Sequence, residues 1–290
     1  MHEAIGNLGN NQRVLANMRD VTLQRLLTSP FRVLPDFIIL GTMKGGTTSL
    51  YRALMDYPCV APALKKEVNF FAGKCGRNIW WYRAHFPTYL RRFAVCHQSH
   101  QILMTGEATP SYMFDPHAPR RIWETLPKAK LLMMLRNPVD RALSHYHHVV
   151  RKGKEPLSFE AAVEEEPVRL EGELERMLED EHYRSFPLGQ WSYLSRGIYI
   201  DQLLRLETYF SPEQILVIQS EEFFNRPYVV MKRVAGFLGL PAWQPRRLPR
   251  ENTGDYPPMN PATRKRLVAY FAPHNQRLYE HLGIDFGWDR

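Results

Sequence analysis

The 290-residue sequence predicts an α/β fold in which a central, mostly parallel sheet is flanked by helices on both faces. Its length allows one large core, and its apolar share of 44% and charged share of 23% are ordinary for a globular domain. Short continuous apolar runs, typical of strands buried on both faces, alternate with stretches long enough for crossover helices. These runs are Phe37–Leu40, Ile102–Met104, Leu131–Leu135 and Ile215–Ile218.

Residues 1–34 are predicted to form a helical lead-in, and residues 35–290 the domain itself. Four apolar residues of the lead-in recur at helical spacing: Val14, Leu15, Met18 and Val21. Pro30 and Pro35 end this pattern. The chain has no apolar run near the roughly 20 residues that span a bilayer, and no signal-peptide core. Its three cysteines form neither a CxxC pair nor an even set, which favours reduced thiols. We therefore expect a cytoplasmic protein without a transmembrane segment.

A glycine-containing turn, Gly41-Thr42-Met43-Lys44-Gly45-Gly46, connects the first predicted strand to a helix that is predicted from Thr47 to about Asp56. Glycines let backbone amides approach a phosphate closely, and Lys44 adds a positive charge. The hydroxyls of Thr47 and Thr48 would lie at the helix start, where the helix dipole favours anions. Strand, glycine turn and helix open a P-loop-like unit, although the GxxxxGK[ST] spacing of ATP-binding loops is absent. The alternative is a tight turn with an exposed lysine.

A second strand–helix junction follows the apolar run that ends at Arg136. Asn137 is a suitable N-cap, and Pro138 is suited to the first helical position. Ser144 and His148 are four residues apart and share one face of the predicted helix. An arginine at a strand end and a serine two turns into the next helix could converge on one anion. The alternative is a well-capped helix with surface arginine and serine.

Charge is unevenly distributed: the net charge is +8, but residues 155–181 carry −9, so the remaining chain carries +17. This excess indicates an anionic ligand, while the scattered positions of the basic residues argue against nucleic acid. No HExxH motif or Cys/His cluster predicts a metal site. Residues 155–182 are predicted to be an acidic surface segment or lid. Residues 241–261, rich in Pro, Arg and Asn, are predicted to be a loop before a last helix at Ala262–Leu282.

Together the two junctions resemble the 5′-phosphosulfate loop and the 3′-phosphate motif of sulfotransferases that use 3′-phosphoadenosine 5′-phosphosulfate (PAPS). The resemblance is to the branch that contains the heparan sulfate N- and 3-O-sulfotransferases and bacterial relatives. It extends from about Asp36 to Gly283, most of the chain. Further motifs that carry it are Lys66–Phe71, Glu107–Tyr112, Ser195–Tyr199 and Pro273–Tyr279.

The resemblance implies ten cofactor-binding residues: Lys44, Gly45, Gly46, Thr47, Thr48, Arg136, Ser144, Gly197, Tyr199 and Asn252. The first five would hold the 5′-phosphosulfate, and Arg136 and Ser144 the 3′-phosphate. Gly197 and Tyr199 would pack against the nucleotide, and the loop 241–261 would close over it as a cofactor-covering loop. PAP, the nucleotide that remains after sulfuryl transfer, would be the product, and no metal is implied.

The resemblance also implies three catalytic residues. Glu67 matches a glutamate that serves as general base, Lys44 would stabilise the leaving phosphate oxygen, and His148 matches a histidine near the sulfuryl group. These functions are chemically reasonable, because sulfuryl transfer builds negative charge on the leaving oxygen and removes a proton from the acceptor. On sequence alone, however, the Lys-Lys-Glu triplet that ends in Glu67 is more typical of a solvated turn than of a catalytic site.

Departures from the family pattern bear on the acceptor. Asn69 stands where the heparan 3-O enzymes carry a histidine, and Ala108 and Asn252 stand where they carry lysines. Fewer cations on the acceptor side argue against a highly anionic polysaccharide. A neutral hydroxyl acceptor is favoured instead: a small metabolite, a glycolipid or an acyl chain on an acyl carrier protein. An amine acceptor is the less favoured alternative. The alternatives to a sulfotransferase are a P-loop kinase or ATPase, which the missing GK[ST] disfavours, and a module that binds an anionic nucleotide without catalysis.

Overall fold

A sheet of parallel strands forms the centre of the protein, and this confirms the predicted fold class. The structure, a computed structural model, describes residues 21–72, 77–99, 101–241 and 256–289. The strands are β1 (Phe37–Gly41), β2 (Val60–Pro62), β3 (Met104–Ala108), β4 (Lys130–Leu135) and β5 (Ile215–Gln219). Their order in the sheet is β2-β3-β1-β4-β5, and all neighbouring pairs are parallel. This crossover topology requires helices between successive strands.

Helices cover both faces of the sheet. In chain order they are α1 (Leu23–Leu27), α2 (Thr47–Met55), α3 (Ile79–Arg83), α4 (Tyr89–Ser99), α5 (Ala118–Thr125), α6 (Pro138–Arg151), α7 (Phe159–Leu170), α8 (Glu173–Glu179), α9 (Phe186–Trp191), α10 (Tyr199–Glu207), α11 (Ser220–Asn225), α12 (Pro227–Leu238) and α13 (Pro261–Leu282). Short 3₁₀ helices occupy Ser29–Phe31, Pro110–Met113, Ser195–Gly197 and Pro212–Gln214. The predicted helices after the glycine turn, after Asn137 and near the C-terminus correspond to α2, α6 and α13.

Alternate residues of β1 pack into different core clusters. Ile38 and Leu40 lie in a cluster that includes side chains of α10 and α13, whereas Phe37 and Ile39 lie in a cluster with side chains of α2 and α12. All four of these β1 side chains are fully buried. The continuous apolar run that predicted β1 is therefore explained by burial on both faces.

The predicted run Ile102–Met104 meets β3 only at Met104, because most of that strand is not apolar. Its polar side chains are buried with partners: the Thr105 hydroxyl donates to the Ala61 carbonyl (2.8 Å), and Glu107 accepts hydrogen bonds from nearby hydroxyls. Gly106 leaves room for a neighbouring ring, since a Cβ there would lie 2.4 Å from Phe37. Strand β2, three residues long, was not predicted, because it is too short to form an apolar pattern.

Residues 155–182 form α7, α8 and their connections. Apolar side chains of α7 join a core cluster with α6: Phe159, Ala162 and Val163. The buried carboxylate of Glu166 accepts hydrogen bonds from the backbone amides of Leu194 and Ser195 (2.6 and 2.8 Å). The segment thus has packed contacts as well as an acidic surface, and its function as a lid stays a prediction.

Some predictions fall outside the described residues. Of the lead-in, the structure describes residues 21–34, which include α1, but not Val14, Leu15 or Met18. Most of the predicted loop 241–261 is also outside, including Asn252. In the part of the chain that the structure describes, no helix is long and apolar enough to cross a bilayer.

Candidate active site

The turn between β1 and α2 has the geometry of an anion-binding site. Lys44 and Gly46 have positive φ angles of 70° and 93°, so the backbone passes twice through the left-handed region. Glycine is also required sterically at position 46, because a Cβ there would lie 2.8 Å from the Phe224 ring. No side chain caps the start of α2, so its first amide groups can donate to a ligand. An uncapped helix start beside a lysine favours a phosphate group.

The junction of β4 and α6 adjoins this turn. The Arg136 guanidinium donates to the Lys44 carbonyl (3.2 Å), which connects the two predicted motifs directly. The predicted cap at Asn137 is present, since its side-chain oxygen accepts hydrogen bonds from two amides of the first helical turn (3.0 and 3.5 Å). The helix that starts there carries Ser144 and His148 on one face, two and three turns from its beginning.

These elements enclose a cleft of about 770 Å³. Eight of the predicted site residues line it: Lys44, Gly46, Thr47, Thr48, Glu67, Arg136, Ser144 and His148. They come from the β1–α2 turn, the segment after β2, and the β4–α6 junction, which the strand order brings together at the carboxyl ends of the strands. This is the edge at which ligands bind in open α/β sheets.

Further residues line the cleft that the sequence analysis did not identify. Among them are Arg151, Lys152, Ser220 and Phe224. Two more lining residues lie in segments that the sequence analysis did identify: Lys66 in the Lys66–Phe71 motif and Tyr256 in the predicted cofactor-covering loop 241–261. Arg151 and Lys152 follow His148 by three and four residues, so helical spacing along α6 could have identified them. Ser220 and Phe224 carry no such local signal, because they reach the cleft only through the position of β5. Tyr256 stacks on His147, with ring centroids 4.4 Å apart.

The cations of the cleft raise its positive potential. The pKa of Lys44 is lowered by burial and by the charges of Arg151, Arg136 and Lys152. The pKa of His148 is lowered to about 4 by burial and by the charges of Lys152, Lys44 and Arg151. His148 is therefore uncharged at neutral pH. An anionic ligand would relieve the mutual repulsion of these cations, so the site favours such a ligand electrostatically.

Three predicted cofactor residues lie behind the cleft rather than along it. A Cβ on Gly45 would lie 2.9 Å from a carbonyl oxygen at the end of β4, and one on Gly197 would lie 2.8 Å from the Phe271 ring. The buried Tyr199 hydroxyl donates to the Arg136 carbonyl (2.8 Å). These positions allow close packing around the β4–α6 junction and orient Arg136. Their predicted contact with a nucleotide stays a prediction.

Glu67 lies where the cleft meets a second, smaller cavity of about 530 Å³. Thr48, Lys66 and Glu67 line both cavities. The Glu67 carboxylate is 3.5 Å from the Lys66 ammonium group, and its side chain is 39% exposed. Tyr51, Met55 and Asn69 line only the smaller cavity. The carboxylate can thus contact a molecule in either space.

A buried hydrogen-bond network supports the chain immediately after Glu67. The carboxylate of Glu107 is fully buried and accepts hydrogen bonds from the hydroxyls of Tyr82 (2.6 Å), Thr109 (2.8 Å) and Tyr112 (3.2 Å). The Thr109 and Tyr112 hydroxyls in turn accept hydrogen bonds from the backbone amides of residues 69 (3.3 Å) and 70 (2.7 Å). Burial raises the pKa of Glu107 to about 7, against the opposing effect of these hydroxyl donors.

Replacing Glu107 by glutamine is expected to flatten the pH dependence of stability. Between pH 4.5 and about 7 the folded protein holds the Glu107 proton that the unfolded chain has released, so this stability is lost as the pH rises through about 7. The raised pKa corresponds to a change of about 3 kcal/mol in the free energy of unfolding across this pH range. The glutamine variant should lack this change, because glutamine does not ionise. Urea unfolding of both proteins across this range measures the difference. Parallel curves would contradict a raised pKa for Glu107.

The family model of the sulfotransferase domain matches residues 34–252, which include every described residue of the cleft except Tyr256. Among curated proteins, the membrane-associated sulfotransferase kil1 of Dictyostelium discoideum is 28% identical, over 88% of this chain and 66% of its own length. Heparan sulfate glucosamine 3-O-sulfotransferase 6 of Mus musculus is 30% identical, over 89% of this chain and 75% of its own length. The chain thus spans about two thirds to three quarters of these relatives.

A solved structure gives the same result. The sulfotransferase from Alicyclobacillus acidocaldarius is 32% identical and superimposes with a TM-score of 0.64, over 89% of this chain and 100% of that one. The two proteins therefore share the P-loop-like fold as well as sequence. The match of the family model over most of the chain, and the cleft at the carboxyl ends of its strands, lead to one assignment. The chain belongs to the sulfotransferase family.

Proposed function

We propose that this enzyme transfers a sulfuryl group from PAPS to a hydroxyl group, rather than to an amine. PAPS is the donor that its family uses, and it carries phosphate groups at two separate positions. The cleft offers two separate anion-binding elements, the turn with Lys44 and the junction with Arg136 and Ser144. The observation that carries the proposal is that Glu67 lines both this cleft and the adjoining cavity. A base in that position can reach a donor and an acceptor at once.

The residues of the chain divide the chemistry between them. When bound, PAPS supplies an activated sulfuryl group. Glu67 takes the proton of the acceptor hydroxyl while the oxygen–sulfur bond forms and the bond between sulfur and the bridging phosphate oxygen breaks. Lys44 and the amides at the start of α2 neutralise the charge that develops on that phosphate oxygen. Arg136 and Ser144 hold the 3′-phosphate, which fixes the orientation of the nucleotide for in-line attack.

The smaller cavity is proposed as the acceptor site. Its lining combines the apolar side chain of Met55, the polar groups of Tyr51 and Asn69, and two cationic side chains, Arg52 and Lys66. A volume of about 530 Å³ suits a small metabolite, or the end of a larger acceptor such as a glycolipid or an acyl chain on a carrier protein. Asn69 and Ala108, which stand where the heparan 3-O enzymes carry cationic side chains, support a less anionic acceptor than heparan sulfate.

Incubation with PAPS and a library of hydroxyl and amine acceptors tests this function. The expected result is a hydroxyl product whose mass increases by one sulfuryl group, together with release of PAP. Mass spectrometry measures both, and the Glu67→Gln protein serves as the matched control. Magnesium-dependent ATP binding by calorimetry, without PAP binding, would indicate the kinase or ATPase instead. Tight PAPS binding with no product from any acceptor would indicate the non-catalytic binding module.

We further propose that the enzyme works in the cytoplasm. The support is chemical: of the two cysteines in the described part of the chain, Cys59 and Cys96, both are free thiols and Cys96 is exposed, as is usual in a reducing compartment. An exposed thiol in an oxidising compartment would be prone to mixed disulfides. Labelling of Cys96 in intact and lysed cells with a thiol-reactive probe that cannot cross the membrane tests this placement. Labelling of intact cells would contradict it.

A further inference from the structure

Helix α4, α3 and the chain that leads into β1 carry many exposed apolar side chains. Helix α4 is held against that chain by the Arg92–Asp36 ion pair (2.5 Å), since Asp36 directly precedes β1. We define the apolar patch by seven side chains and their exposed fractions: Leu23 (68%), Leu27 (70%), Phe31 (68%), Trp80 (44%), Tyr89 (51%), Leu90 (77%) and Phe93 (67%). Large exposed apolar patches on soluble domains mark interaction sites.

These side chains lie on adjoining elements. Arg83 connects three of the elements, since its guanidinium donates to the Arg32 carbonyl (2.9 Å) and to the Tyr89 hydroxyl (3.0 Å). The same guanidinium lies 5.7 Å from the centre of the Trp80 ring. Arg25 attaches α1 to this group by donating to the Ala84 carbonyl (2.7 Å).

On α4 itself, Tyr89 and Phe93 are four residues apart and therefore share a face, with Leu90 beside them. None of the three packs into the core, since each is more than half exposed. An eleven-residue helix normally buries its apolar side chains, because tertiary packing supplies most of its stability. The apolar side of α4 therefore lacks a covering surface in the described part of the chain.

The charge of this region indicates the kind of partner. Residues 21–35, 77–97 and 101–103, which surround the patch, contain six arginines but no aspartate or glutamate. Arg32 is buried and Arg92 is paired with Asp36, which leaves four accessible arginines: Arg25, Arg77, Arg83 and Arg91. A second copy of the chain, related by two-fold symmetry, would place arginines against arginines, which disfavours a symmetric dimer. An anionic partner is favoured.

The shape of the patch distinguishes among anionic partners. Five of its side chains are exposed by about two thirds or more, so they project from the surface instead of lining a groove. A protein partner would need a matching pocket for each of them, whereas the headgroup region of a bilayer accommodates projecting leucine and phenylalanine side chains. Tryptophan, tyrosine and arginine are the residues that prefer the level of the lipid headgroups.

We propose that the apolar patch docks the enzyme onto an anionic lipid surface. Leu23, Leu27, Phe31, Leu90 and Phe93 insert at the boundary of headgroups and acyl chains, while Trp80, Tyr89 and the four accessible arginines contact the headgroups. The proposal does not depend on the identity of the acceptor.

Co-sedimentation of the full chain with vesicles tests the proposal. The protein is expected to bind vesicles of phosphatidylcholine and phosphatidylserine, more weakly with pure phosphatidylcholine, and less as salt concentration rises. The variant Leu90→Ser/Phe93→Ser should lower the partition coefficient by about tenfold or more, because two inserting side chains are lost. The matched control is Val168→Ser, an exposed apolar residue of α7 outside the patch (66%). Affinity for PAP, measured on each variant, reports an intact fold.

Two results would overturn the proposal. Absence of wild-type binding to anionic vesicles excludes a lipid surface directly. Equal binding by wild type and Leu90→Ser/Phe93→Ser, with PAP affinity retained, excludes the patch. Light scattering measures the oligomeric state of wild type and double variant. If the wild type does not bind vesicles but forms a dimer, and the double variant is a monomer, the occupant of the patch is a second copy of the chain instead.

Discussion

Replacing Glu67 by glutamine is expected to lower turnover by about 10²–10⁴-fold, the usual contribution of a general base. Glutamine keeps the size of the side chain but cannot take the acceptor proton. Affinity for PAP should change little, because the proposed phosphate contacts come from Lys44, Arg136 and Ser144. Steady-state turnover with a confirmed acceptor, and calorimetric titration with PAP, measure the two effects separately.

Two further variants sharpen this result. Glu175→Gln, an exposed carboxylate on α8 outside the cleft, is the matched control and should leave turnover unchanged. His148→Gln tests the other candidate base, whose pKa of about 4 leaves it uncharged and able to accept a proton at neutral pH. If Glu67→Gln has near-normal turnover and His148→Gln has greatly reduced turnover, the general base is His148 and not Glu67.

Replacing Arg136 by alanine is expected to weaken PAP binding by about 2 kcal/mol or more, because charge-assisted hydrogen bonds to a phosphate are lost. The loss should be smaller for adenosine 5′-monophosphate, which lacks a 3′-phosphate. Calorimetric titration of wild type and variant with both nucleotides gives the comparison. Lys44→Ala should behave differently and weaken the binding of both nucleotides, because Lys44 is proposed to contact the 5′ end that they share.

Arg136 also makes a contact within the protein, and the effect of losing that contact must be distinguished from the effect of losing a phosphate contact. Its guanidinium donates to the Lys44 carbonyl, so its removal can loosen the phosphate turn and weaken both nucleotides. Ser144→Ala is the matched control, because Ser144 lines the same cleft from α6 rather than from the β4 end that holds the Lys44 carbonyl. The quantity to compare is the ratio of affinities for PAP and adenosine 5′-monophosphate. If this ratio falls in Ser144→Ala but not in Arg136→Ala, then Arg136 acts through the turn and not on the 3′-phosphate.

The local parts of the site could be predicted from the sequence because each depends on neighbouring residues. The run Phe37–Leu40 identifies β1, and the glycine turn with Lys44 follows from the need for a close backbone approach to an anion. The cap at Asn137 with Pro138 marks the start of α6, and this start sets the face on which Ser144 lies. The structure confirms these elements at nearly the predicted bounds.

The sequence by itself thus determined the fold class, the two strand–helix junctions and eight of the cleft residues, because apolar runs, glycines and caps act over a few residues. Only the tertiary structure decided which polar residues are buried: Glu107 looks like a solvent-exposed position, yet the hydroxyl of Tyr82, 25 residues away, joins those of nearby Thr109 and Tyr112 to stabilise its burial in β3. The same holds for Tyr199, which contacts Arg136 from 63 residues away. Such contacts depend on the strand order β2-β3-β1-β4-β5, and strand order arises from packing across the whole sheet, which no local pattern encodes.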